Sequence, residues 1–134
     1  MTDSEILTLV HQLERCLVPK TDFHHRDHLA VAVAYLYSMD FASALNRMRE
    51  TLIRFSSHHG VRNRYHETLT RFWMEQVNQR LERKLCLCQS VAKTQAALPD
   101  KDLAFTFYRR ETLDSIRAKE EWIEPDHASG RLRR

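Results

Sequence analysis

Apolar side chains recur every three or four residues along most of the chain, the spacing of helices that bury one face. Ile6, Leu7, Leu9, Val10, Leu13 and Leu17 set out a first helix, with Asp3 or Ser4 as its N-cap and Pro19 as its stop. Thr21 and Asp22 are caps for a second, which runs through Leu29, Ala32, Val33 and Leu36 to about Met39. That helix is apolar nearly all round, which predicts a central, buried position. A third begins at or just after Asp40, carries Phe41, Leu45, Met48, Leu52 and Phe55 as its inner stripe, and ends at His58-His59 with Gly60 as the C-terminal stop. A fourth starts near Asn63 and is lined by Leu69, Phe72, Trp73, Val77 and Leu81. Its pattern could continue to about Leu98, but the charged stretch 80–84 allows a break, and Pro99 ends the segment. Residues 100–108 predict a short helix and 111–122 another, before an irregular end marked by Pro125 and Gly130. The predicted fold is therefore all-α, an irregular helical bundle of five to six helices.

Composition narrows this further. With only two Gly and three Pro the chain lacks the turn residues of an all-β fold. A hydrophobic share of 43% against 29% charged fits a globular chain with a core. The reading is one domain over residues 1–127 and a flexible basic tail at 128–134. Net charge is +3, but the tail Arg131-Leu132-Arg133-Arg134 supplies three arginines, and without them 18 of the 21 basic residues face 18 acidic ones. A neutral body with a short basic tail argues against nucleic acid as a partner. The longest apolar run, residues 29–36, is too short for a membrane span, and the acidic start Met1-Thr2-Asp3-Ser4-Glu5 is not a signal peptide, so the expected setting is the cytoplasm. Three cysteines, Cys16, Cys86 and Cys88, make no disulfide framework. Cys86-Leu87-Cys88 is a CxC pair, a slight metal or redox signal beside the plainer reading of ordinary helical thiols.

The histidines hold the candidate chemistry. Short connections make neighbouring helices antiparallel, so the second and fourth helices start at the end of the bundle where the first and third finish. His24, His25, His28, His58, His59 and His66, six of the eight, then fall at that end. Residues three and four apart share a helix face. His25 shares one with His28, Leu29 and Ala32, and His66 leads on to Leu69, Thr70 and Trp73, so His25, His28 and His66 turn toward the core. A helix N-terminus disfavours imidazolium, and neutral imidazole is the form that ligates metal or accepts a proton. Three histidines with an open position suit a divalent transition metal: zinc, iron, nickel or copper. Glu67 would be a base or would orient a ligand, and Asp22 and Asp27 could also orient one. Any one of these histidines alone is better explained by capping or burial; it is the HxxH pair with a third at the same level that points to metal.

Three stretches resemble a family of small bacterial all-helical proteins of uncharacterised function. They are Phe23-His24-His25-Arg26-Asp27-His28-Leu29, an F-x-H-x-x-H-L pattern; Tyr65-His66-Glu67-Thr68-Leu69-Thr70, a Y-H-E-T helix start; and Lys101-Asp102-Leu103 with Trp122-Ile123-Glu124-Pro125-Asp126. The resemblance spans about residues 20–127. It implies the same helical fold and one shared site for His25, His28, His66 and Glu67, and it implies no reaction. Arg109-Arg110-Glu111-Thr112-Leu113 departs from the S-x-E-R-L expected there.

The leading functional expectation is a metal-binding protein, and with it a metal-dependent enzyme acting on a small molecule through His25, His28 and His66 with Glu67 as base. The alternative from another class is a non-catalytic helical interaction module whose histidines are structural. A third is a metal-free enzyme with a histidine base oriented by Glu67. Phe72, Trp73 and Tyr65 could line a pocket beside the histidines, and Arg62 and Arg64 could meet an anion at its mouth, although core packing and solvated loop charges are the better explanations of them.

Overall fold

The computed structural model describes residues 1–127, and the predicted basic tail at 128–134 lies outside the described residues. Among the described residues there are seven α-helices and no strand: α1 (Asp3–Glu14), α2 (His25–Ser38), α3 (Phe41–His58), α4 (Glu67–Arg80), α5 (Leu87–Ala97), α6 (Arg110–Leu113) and α7 (Ile116–Glu120). Single 3-10 turns precede α2 and α4 (Lys20–Asp22 and Arg62–Arg64), and another spans Leu103–Thr106. No described helix is long and apolar enough to cross a membrane.

α2 occupies the centre that its pattern predicts. Eight consecutive residues, Leu29 through Leu36, are buried, and α1, α3, α4 and α5 all pack against it. α3 buries Ala44, Met48, Thr51 and Phe55, a stripe rotated about one residue from the predicted one, with Leu45 and Leu52 half-buried beside it. That rotation puts Thr51 opposite α2, where its hydroxyl lies 2.9 Å from the Tyr35 hydroxyl. Tyr35 in turn donates to Glu14 at 2.6 Å, and Arg47 closes the network onto the same carboxylate at 2.9 Å.

The helix ends correct several sequence expectations. Thr2 caps α1 in a reciprocal box with Glu5, in place of Asp3 or Ser4. α1 stops before Pro19 is reached: Cys16 turns left-handed at φ 59°, with Leu17 N–H bonded to Gln12 O and Cys16 N–H to Leu13 O. The same bond pair closes α3 around Gly60, as predicted, at φ 72°. Thr21 and Asp22 lie in the turn before α2, whose N-cap is His24; α4 likewise starts later than Asn63, at an N-cap formed by His66.

The break in the long fourth segment has a tertiary cause. The strand-free link between α4 and α5 crosses the C-terminal end of α2. There Arg83 donates to the Leu36 and Tyr37 carbonyls at 3.1 and 3.2 Å, and the Tyr37 hydroxyl donates to Leu85 O at 2.7 Å. A cation at a helix C-terminus meets its partial negative charge. The detour returns α5 against α2. The segment 111–122, predicted as one helix, is two, α6 and α7, interrupted at Asp114 and capped anew by Ser115. It packs on α4 through Thr68, whose hydroxyl donates to Glu121 O and accepts from Ile123 N–H.

Candidate functional site

Chain direction gathers the histidines at one end, but local bonding divides them. His66 is the N-cap of α4. Its Nδ1 accepts the Leu69 N–H at 3.1 Å, which leaves the proton on Nε2, and Nε2 donates to Leu113 O at 2.7 Å. Burial holds this imidazole below its ordinary pKa, in keeping with the neutral tautomer the two bonds require. His66 thus joins the start of α4 to the end of α6 with both nitrogens committed.

His25, the first residue of α2, donates from Nε2 to Leu98 O at 2.8 Å, tying α2 to the end of α5. Its ring meets Trp73 edge-on at 4.7 Å. His24 lies outside the core face as expected; its N–H bonds the Asp27 carboxylate at 3.1 Å. His59 sits at 3.1 Å from Val18 O and packs against Phe55.

Glu67 is committed too. Arg49 grips it with two bonds, Nε to Oε1 at 2.8 Å and Nη2 to Oε2 at 2.6 Å, while the Tyr65 hydroxyl donates to Oε1 at 2.6 Å. The guanidinium holds the carboxyl below its ordinary pKa. A base needs a free lone pair aimed at a substrate proton, and this carboxylate spends its oxygens on joining α3 to α4.

His28 differs from all of these. Its Nε2 is buried with no hydrogen-bond partner among the described residues. Burial, with a smaller push from His25, brings its pKa down to about 4, so the ring is neutral at pH 7. It lines a cavity of about 460 Å³ between α2, α3 and α4, walled by Leu52, Phe55, Val61, Leu69 and Trp73. His66 and Trp73 line the same space; His25 does not, and instead borders a separate hollow with His24, Gln95 and Leu98. The structure therefore brings His28 and His66 to one cavity and leaves His25 outside it.

The three imidazoles do not form a closed ligand set. Among the described residues, the one group of three His, Cys, Asp or Glu side chains whose ligand atoms lie within 4.8 Å of one another is Asp3, Cys86 and Cys88. Residue type and end of the bundle were readable in the sequence; which nitrogen each backbone carbonyl would claim was not, because Leu98 and Leu113 come from distant segments.

The remaining polar groups of the cavity wall are mostly spent. Ser56 donates to Ile53 O, Thr70 to His66 O, and Tyr65 to Glu67. Its exposed rim carries Lys20 and Arg64, and neither has a carboxylate within 4.0 Å among the described residues. Sequence reasoning named Arg64 as an anion contact and missed Lys20, which looks like an ordinary loop charge until the turn Lys20–Asp22 brings it over the cavity. A second cavity, about 500 Å³ between α4 and the C-terminal segment, has its charges engaged: Arg80 bonds Gln76, and Glu75 and Glu124 have partners.

No family model matches the chain, and no curated protein or solved structure does.

Proposed function

We propose that this protein binds a small organic anion with an apolar body in the cavity between α2, α3 and α4. The observation that carries the reading is the unpartnered, buried Nε2 of His28, a residue of the wall of that space. Leaving such an atom unsatisfied costs about 1–3 kcal/mol, which a ligand hydrogen bond would recover. Neutral imidazole offers one donor and one acceptor, so it meets a carboxylate or a hydroxyl equally well. Lys20 and Arg64 supply positive charge at the rim, and Leu52, Phe55, Val61, Leu69 and Trp73 supply an apolar lining. The volume suits a small metabolite-sized molecule. The cavity hydroxyls of Ser56 and Thr70 donate to main-chain carbonyls, so the lining is equipped to hold a ligand better than to attack one.

The test uses Trp73 as reporter in a Trp122→Phe background, since these are the two tryptophans. Hexanoate and phenylacetate should quench its fluorescence saturably, and their uncharged amides should bind about tenfold more weakly, the loss of roughly one charge-assisted hydrogen bond. His28→Leu should abolish the response. Replacing Lys20 and Arg64 by Ala should weaken it and flatten its salt dependence. An absence of saturable quenching across such carboxylates, or binding that survives His28→Leu, would overturn the proposal.

A further inference from the structure

Away from the histidines, the start of α5 meets the start of α1. Cys86 is the N-cap of α5 and Cys88 lies in its first turn; their sulfurs are 3.3 Å apart. Asp3, the first residue of α1 and 85 positions away from Cys88, accepts the Cys88 N–H on Oδ1 at 2.9 Å. That bond orients the carboxylate beside both thiols, and one ligand atom from each residue lies within 4.8 Å of the others. Three donors from two helices converge at the surface, open on the solvent side.

We infer that Asp3, Cys86 and Cys88 bind one thiophilic divalent cation, zinc by the chemistry of the donor set. Two thiolates and a carboxylate are zinc ligands, and three protein donors leave the fourth tetrahedral position to water. Distance decides between this and a disulfide. Two sulfurs on a tetrahedral zinc, each about 2.3 Å from the metal, stand about 3.8 Å apart. A disulfide requires about 2.05 Å. The observed 3.3 Å is closer to the first, and a small opening of the pair suffices. Binding releases the two thiol protons to solvent and joins α1 to α5.

Cobalt(II), titrated into the reduced full-length protein, is the probe, followed by its thiolate-to-metal charge-transfer band. One equivalent should saturate the band, and zinc should displace it. Cys86→Ser and Cys88→Ser should each remove the band, whereas Cys16→Ser, whose thiol faces the Arg54 carbonyl, should leave it intact. Asp3→Asn retains an acceptor for the Cys88 N–H but offers a poor ligand; it should weaken binding about tenfold or more, the scale on which metal sites respond to lost support. Far-ultraviolet circular dichroism checks that each variant is folded. No charge-transfer band in the wild type, a band that persists in either serine variant, or Cys86 and Cys88 pairing as a disulfide while zinc is present would overturn the site.

Discussion

Both α2 and α4 begin with histidines at the same end of the bundle, yet the two starts are built differently. At α4 the polar groups of the first turn are answered: His66 by Leu69 and Leu113, Glu67 by Arg49 and Tyr65, Thr68 by Glu121 and Ile123; Arg71 Nε, further in, makes no hydrogen bond, but its charge lies 3.8 Å from Glu75 and over the Trp122 ring. At α2, the His24 main-chain N–H and the His25 imidazole are answered by Asp27 and Leu98, but His28, one turn further in, is left with a buried nitrogen and no partner. One start is finished as structure; the other keeps an unpartnered nitrogen on a residue that lines a cavity. Clustering of residue type marks both. Only the missing hydrogen bond separates them, and an unsatisfied buried group is the rarer observation.

The largest effect should come from α4. Glu67→Ala leaves the Arg49 guanidinium and Tyr65 hydroxyl without their shared acceptor, and removing one partner of a mostly buried pair costs about 3–5 kcal/mol. Urea denaturation would measure it, and a loss below about 1 kcal/mol would break the view of Glu67 as a structural tie. The carboxyl's pKa is depressed by folding, so its contribution is full above the ordinary glutamate range and fades as pH falls through the lower folded value.

His28 should act in a different pH window. Its pKa falls on folding from 6.5 to about 4, so between those values the unfolded chain takes up a proton that the folded chain refuses. Stability should therefore fall as pH drops from about 6.5, by as much as about 3 kcal/mol near pH 4. Denaturation curves of wild type and His28→Leu across this range should diverge steadily; parallel curves would show that His28 is hydrated or partnered in solution. His66→Ala should come next, about 2 kcal/mol at pH 7, from a lost helix cap and a lost bond to Leu113. The same variant sharpens the metal question. Zinc measured in a background lacking Cys86 and Cys88 should be absent with or without His66, since His25 and His66 would have to abandon the Leu98 and Leu113 carbonyls to ligate. Stoichiometric zinc lost on changing His28 or His66 would restore a histidine metal centre.

What the sequence disclosed follows from the range of the forces involved. Helical periodicity is local, so the all-α fold, the central α2 and the Gly60 stop were legible. The later start of α4 and the split of 111–122 were not, and of the link before α5 only the break at 80–84 was, because each is set by a partner far along the chain: Leu113 for His66, Thr68 for Glu121, and the α2 carbonyls for Arg83. The candidate site divides the same way. His28 and His66 at one cavity could be reasoned from chain direction, whereas the separation of His25 turns on Leu98, which α5 delivers only after the path that the link takes across α2. Cys86 and Cys88 were visible as a pair, but Asp3 becomes their neighbour only through the packing of α1 on α5.

The smallest effect is also the most pointed. If the His28 nitrogen is a cost carried for binding, then removing it should stabilise the empty protein. His28→Leu is close in volume, keeps the cavity wall apolar and deletes the orphaned atom; it forfeits the ring contact with Phe23 at 5.6 Å. The recovered desolvation should outweigh that contact and leave a net gain of about 1 kcal/mol at pH 7, read as a higher urea midpoint with an unchanged slope. Stability gained where binding is lost is the signature of a residue kept for function at the expense of the fold. A variant less stable than wild type would instead place His28 with His25 and His66, among histidines whose work is to hold the helices together.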